Sequence, residues 1–198
     1  MSEPLGQTPS QTVGPYFAYG LVPTQYGYPL ASLFGPELAQ PHTPGEPIVI
    51  TGRVLDGRGE PISDALLEIS QVDASGRRPQ GRAEVAATGF RGFGRMGTGT
   101  LPGNVFAFRT VKPGPTPDGQ APHVDVIVSM RGLLVHAFTR IYFDDEAAAN
   151  ARDPVLATVP AERRGTLIAR REVQAGGTVV YRFDVHMQGE AETVFFDV

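Results

Sequence analysis

At 198 residues, with 41% hydrophobic and 19% charged residues, the chain can bury one substantial core and lacks the composition of a disordered polypeptide. A formal net charge of −4 argues against nucleic acid or an anionic membrane as the main partner, and the absence of cysteine excludes a disulfide framework, a zinc–thiolate site and a Cys nucleophile. The first residues, MSEPLGQTPSQT, carry neither a basic nor an apolar signal region, and no apolar run nears the ~20 residues of a membrane span, so a soluble, cytoplasmic protein is expected.

Residues 1–47 form an arm in which Pro4, Pro9, Pro15, Pro23, Pro29, Pro36, Pro41, Pro44 and Pro47 recur too densely for long helices or central strands. The arm is nevertheless aromatic, with Tyr16, Phe17, Tyr19, Tyr26, Tyr28 and Phe34, so it is expected to pack on a surface. That surface is either its own domain or a neighbouring subunit. Residues 48–198 form the domain proper. Ile48–Leu55 reads as the first strand, a turn follows at Asp56-Gly57 and Gly59, and Ala65–Gln71 reads as the second. Val105–Val111 is the next strand, then His123–Met130, a turn at Arg131-Gly132, and Leu133–Phe143. Asp144, Asp145 and Glu146 open a short helix, since acids suit its N-terminus, and Pro154 stops it. The stretch 160–165 (PAERRG) reads as a second helical turn. Thr166–Val173 and Thr178–Gln188 form a hairpin across Gly176-Gly177, and Thr193–Phe196 closes the chain. Seven or eight strands punctuated by Gly and Pro predict an all-β fold, a β-sandwich or barrel with short helices and an extended N-terminal arm. The run from Gly52 to Ile69 is of the kind that recurs in prealbumin-like sandwiches, and it also permits a non-enzymatic binding module.

Two motifs touch chemistry. GFGRMG (Gly92–Gly97) has the spacing of a dinucleotide-binding loop, but the following Thr98, Gly99, Thr100, Leu101, Pro102 and Gly103 cannot start the required helix, so it reads as a flexible loop. His123 and Asp125 are the sharper case, because residues i and i+2 of a strand share a face. With His136 or His186 as a third ligand they would make the facial triad of a self-sufficient Fe(II) oxygenase. On the bland reading His123 is a hydrogen-bonded histidine and Asp125 pairs with an arginine. His42, in the arm, carries no catalytic weight.

Five blocks in order, TPSQTVGPYF (8–17), GRVLDGRGEPISDALLEISQVDASG (52–76), FRTVKPG (108–114), APHVDVIVSMRGLLVHAFTRIYFDDEAAANARDPVL (121–156) and YRFDVHMQGEAETVFFD (181–197), resemble the intradiol ring-cleavage dioxygenases. That family holds ferric iron with two tyrosinates and two histidines. Carried over by position, the tyrosines fall on Arg78 and Thr116, the first histidine on His123 and the second on Asp125. An arginine that assists the reaction falls on Gln120. Three of the four ligands are therefore missing. Arg78 is a cation with no lone pair to give, and a threonine hydroxyl is a poor ferric ligand beside a phenolate.

The resemblance thus implies the iron-free, alpha-type chain of a hetero-oligomer. Its homologous beta-type partner would bind Fe(III) and cleave 3,4-dihydroxybenzoate with O2 to 3-carboxy-cis,cis-muconate, in the beta-ketoadipate route of aromatic catabolism. By the same carry-over, Thr12, Gly14, Pro15 and Arg131 of this chain would rim the partner's pocket, Arg131 facing the substrate carboxylate. At the vestigial ligand positions, Arg78 and Asp125 are expected to neutralise one another, since an unpaired buried charge is costly.

Overall fold

In the first strand, β1 (Pro47–Leu55), Ile48, Ile50 and Val54 are buried while Arg53 faces outward, the alternation that a half-buried strand requires. The computed structural model describes residues 6–174 and 176–197; Pro4, counted above with the arm, lies outside them. Chain order is α1 (Phe17–Leu21), β1, β2 (Leu66–Ser70), α2 (Arg82–Thr88), β3 (Phe93–Gly97), β4 (Val105–Val111), β5 (His123–Ser129), β6 (Ala137–Phe143), α3 (Ala147–Asn150), β7 (Ile168–Val173), β8 (Val179–Arg182) and β9 (Val185–His186). These strands form a mixed sheet in the order β3-β2-β5-β6-β7-β8-β1-β4, with β9 beside β1. Most neighbours are antiparallel; β6–β7, β1–β8 and β1–β9 are parallel. One core cluster joins both ends of this path, with Ile50, Phe106, Phe108 and Tyr181 from one half and Leu67, Ile69, Val124, Val126 and Phe143 from the other.

The arm is part of this body. Residues 35–38 lie between the two terminal strands: Leu38 N donates to Arg109 O at 2.8 Å and Arg109 N to Pro36 O at 2.9 Å. On the other side Arg95 N donates to Gly35 O at 3.0 Å and Arg91 N to Leu38 O at 2.8 Å. The strap thereby occupies edges that would otherwise present unpaired backbone groups. Leu38 is wholly buried, and Tyr26 donates its hydroxyl to Thr98 O at 3.0 Å. Tyr16, Phe17, Tyr28, Leu30 and Leu33 stay exposed.

Three expectations need correction, and one helix carries no signal in the sequence. GFGRMG is a strand, β3, paired along β2, and not a loop. Its glycines serve close approach: a Cβ on Gly94 would lie 2.4 Å from Leu38 Cδ1, and one on Gly97 2.2 Å from the Tyr26 hydroxyl oxygen. Helix α2 was not anticipated, because none of its residues is buried and no apolar stripe marks it. The strand after the Arg131 turn begins at Ala137, leaving Leu134 and Val135 exposed in the connection. The last long strand breaks at Phe183-Asp184, where the Asp184 carboxylate takes the Arg53 N–H at 2.8 Å in place of a ladder carbonyl. Thr193–Phe196 makes only one bridge, Phe138 to Phe196. The acid-led helix forms as a 3-10 turn (Asp144–Glu146) continued by α3, and residues Ala161–Leu167 form a 3-10 helix. Among the described residues no helix is long and apolar enough to cross a membrane.

Candidate functional site

The His123 end of β5 opens on a cleft of about 350 Å³ beneath the Pro-rich loop of residues 112–122, KPGPTPDGQAP. Two turns hold that loop in place. Asp73 Oδ1 accepts Ser75 N at 2.8 Å, the Ser75 hydroxyl at 2.7 Å and Arg77 N at 3.0 Å. Burial pushes the Asp73 carboxyl up, but the Arg77 and Ser75 hydrogen bonds outweigh it and hold the group below its ordinary value. The turn closes on Gly76 at φ +81°, where a Cβ would lie 2.1 Å from Pro115 O, so only glycine lets the two loops touch. In the facing loop Thr116 N donates to Gln120 O at 3.1 Å.

The side chains at the four carried-over positions meet in this cleft. His123 is buried, and its Nδ1 lies 2.7 Å from Ala121 O. A carbonyl only accepts, so Nδ1 carries a proton, and in the neutral ring Nε2 has the lone pair. Asp125 Oδ1 lies 3.7 Å from that Nε2. Arg78 reaches Asp125 Oδ2 with Nη2 at 3.2 Å and Ser70 Oγ with Nη1 at 2.5 Å. Arg140 brings Nε to 3.1 Å from Asp125 Oδ1, and its Nη1 donates to Gln120 Oε1 at 2.6 Å. The Arg140 Nε and Asp125 Oδ1 atoms are buried and close but not aligned for a hydrogen bond, so their attraction is charge on charge. Thr116 gives its hydroxyl to the Asp118 carboxylate, which also accepts Gln120 Nε2 at 2.5 Å. These two donors, Thr116 first, hold the Asp118 carboxyl below its ordinary value.

These residues do not fit a ferric ion. The Arg78 guanidinium can coordinate nothing, Asp125 is held by the charge of two arginines, and Thr116 offers a neutral hydroxyl, hydrogen-bonded to Asp118, where the family has a phenolate. Of the four carried-over positions only His123 keeps a side chain of the family's ligand types. The Fe(II) triad lacks its third ligand as well. Tyr142 pairs with His123 across the strands, and His136 lies six residues from Tyr142 along the chain, ~20 Å at strand rise. His186 sits beside Leu55 on β9. Among the described residues no group of three or more His, Asp or Glu is placed to hold a metal ion.

Arg140, Ser70 and Asp118 have no signal in the sequence. Arg140 reaches Asp125, and Ser70 reaches the Arg78 guanidinium beside it, only because the register sets Arg140 and Ser70 opposite Asp125 on the two neighbouring strands.

The carried-over rim residues lie at the other end of β5. Arg131 is eight residues beyond His123, ~26 Å at strand rise. Thr12 Oγ1 accepts Gly132 N at 2.8 Å and donates to Met130 O at 3.4 Å, tying the start of the arm to the Arg131 turn. Gly14 O accepts Phe17 N at 3.1 Å at the entry to α1, and Pro15 beside it is exposed.

A family model described as Dioxygenase matches residues 14–189, and the chain belongs to that family. It is 63% identical over 194 residues, 98% of each chain, to the protocatechuate 3,4-dioxygenase alpha chain of Burkholderia cepacia. Over 161 residues, 75% of this chain and 67% of the other, it is 31% identical to the beta chain of the same enzyme from that organism. In fold it is similar to an intradiol ring-cleavage dioxygenase from Tetranychus urticae, with a TM-score of 0.61 at 16% identity over 82% of this chain and 92% of the other.

Proposed function

We propose that this chain is the alpha, non-iron-binding subunit of a protocatechuate 3,4-dioxygenase, and that it works only beside a homologous beta-type chain that holds Fe(III). One observation carries the reading: at the cleft where the family places its iron, Arg78 and Arg140 close on Asp125, and Thr116 closes on Asp118. Chemistry that needs a metal centre must then come from another chain, and the likeness to both an alpha and a beta chain supplies its kind. The strands make a two-layered, prealbumin-like sandwich, a reading supported by the core that the two halves of the strand path share. The exposed arm residues Tyr16, Phe17, Tyr28, Leu30 and Leu33 pack on the partner. The partner's iron and O2 carry out the ring cleavage of 3,4-dihydroxybenzoate. This chain adds Thr12, Gly14, Pro15 and Arg131 to the rim of that pocket, and the Arg131 guanidinium binds the substrate carboxylate.

Co-expression tests the partnership: the chain should co-purify with a sister chain bearing the two tyrosines and two histidines, and activity should require both. Within the complex, Arg131→Ala should cost ~1.5–3 kcal/mol of substrate binding, the loss of a charged hydrogen bond, read as a raised KM. An unchanged KM removes Arg131 from the pocket.

A further inference from the structure

Arg131 does not stand free. Its Nε is engaged by the carboxylate of Asp64, which lies in the connection between β1 and β2, 67 residues away in sequence. Arg131 is 62% exposed at the side chain, whereas Asp64 is only 20% exposed, so the carboxylate is the fixed member of the pair and the guanidinium the projecting one. Three segments converge here. Asp64 comes from the β1–β2 connection, Met130–Gly132 from the end of β5, and Thr12 from the arm, where its hydroxyl binds the backbone on both sides of Arg131. Tyr26 of the arm faces the same corner: burial first, then Tyr19 and the Asp64 carboxylate, push its phenol above the ordinary value.

A guanidinium offers five N–H donors in a rigid plane, and a carboxylate engaging Nε leaves the far side of the fork free. An exposed arginine otherwise samples many rotamers, and holding it in one removes an entropic cost from the binding step. We infer that Asp64 is a positioning residue, which fixes the Arg131 guanidinium so that its free Nη edge meets the carboxylate of the aromatic substrate. The inference rests on the reading of Arg131 as part of the partner's pocket.

The test uses the assembled, iron-loaded complex and two ligands, 3,4-dihydroxybenzoate and catechol, which lacks the carboxylate. Equilibrium binding in the absence of O2 reads affinity without turnover, and steady-state assays give KM and kcat. Asp64→Ala should weaken 3,4-dihydroxybenzoate binding about tenfold, with catechol binding and kcat within twofold of the native complex. Asp64→Asn, which keeps an acceptor for Nε–H, should recover most of that loss. The Asp64→Ala/Arg131→Ala double variant should bind no worse than Arg131→Ala alone, since both removals act on one contact.

If Arg131→Ala weakens binding and Asp64→Ala does not, the positioning role is wrong and the pocket reading stands. If Arg131→Ala leaves binding unchanged, both fall. Equal losses for the two ligands in Asp64→Ala, or loss of assembly or iron in both Asp64 variants, would make Asp64 a structural residue and overturn the inference.

Discussion

Asp125 lies between two guanidiniums that are not equivalent. Arg140 is 15% exposed and pinned by Gln120, while Arg78 is 51% exposed and reaches in from a surface turn. Removing a partner from a largely buried ion costs more than breaking a solvated pair. Arg140→Ala should therefore destabilise the protein by ~2–3 kcal/mol and Arg78→Ala by less than ~1 kcal/mol, compared by denaturant midpoints of the complex. Equal losses would show that Asp125 does not depend on the buried arginine. Asp73 gives a pH-dependent counterpart. Its folded-state value is depressed below the ordinary 3.8, so the charged form is favoured on folding. Its contribution is present in full above that unfolded value and is lost as pH falls through the lower folded value. The midpoint difference between native protein and Asp73→Asn should thus hold steady at neutral pH and shrink below about pH 4; a gap that widens on acidification contradicts the assignment. At this scale the sequence showed that His123 and Asp125 share a face, because strand periodicity is local. It could not show Arg140, which meets Asp125 through the pairing of β5 with β6.

Among the elements, β1, β2, β4 and β5 fall within a residue or two of where alternation and turn residues place them. Strand β3 was hidden because Gly94 and Gly97 depress strand propensity, and what those glycines accommodate comes from the distant arm. The break between β8 and β9 was hidden for a similar reason: Gly52 admits Phe183 O to within 1.7 Å of where its Cβ would stand, a contact between segments far apart in sequence. The strap at 35–38 therefore acts as a structural element despite its prolines. Leu38→Ala should cost ~2–5 kcal/mol, as for other wholly buried leucines. It should also speed hydrogen exchange at the Arg91, Arg95 and Arg109 amides, which bond the strap. Unchanged exchange at those three amides would mean that the strap does not hold the strand edges.

For the molecule as a whole, the two ends of β5 have separate fates. The His123 end is a cleft sealed by charge, and the Arg131 end is an exposed turn braced by Asp64 and Thr12. Which end matters to function could not be read from composition or spacing, which left the metal question open at His123 and Asp125; in three dimensions Arg78 and Arg140 close on Asp125, an arrangement that does not fit a ferric ion. The exposed aromatic and leucine side chains of the arm fit a protein that completes itself on a partner. The central claim is that iron in the complex owes nothing to this chain's cleft. Iron content of the assembled complex tests it most directly, measured for the native pair and for a pair carrying His123→Ala, which removes the one residue of the family's ligand types left at the four carried-over positions. The account predicts one iron per pair of chains in both; a second iron in the native pair, or iron lost with His123, would contradict it.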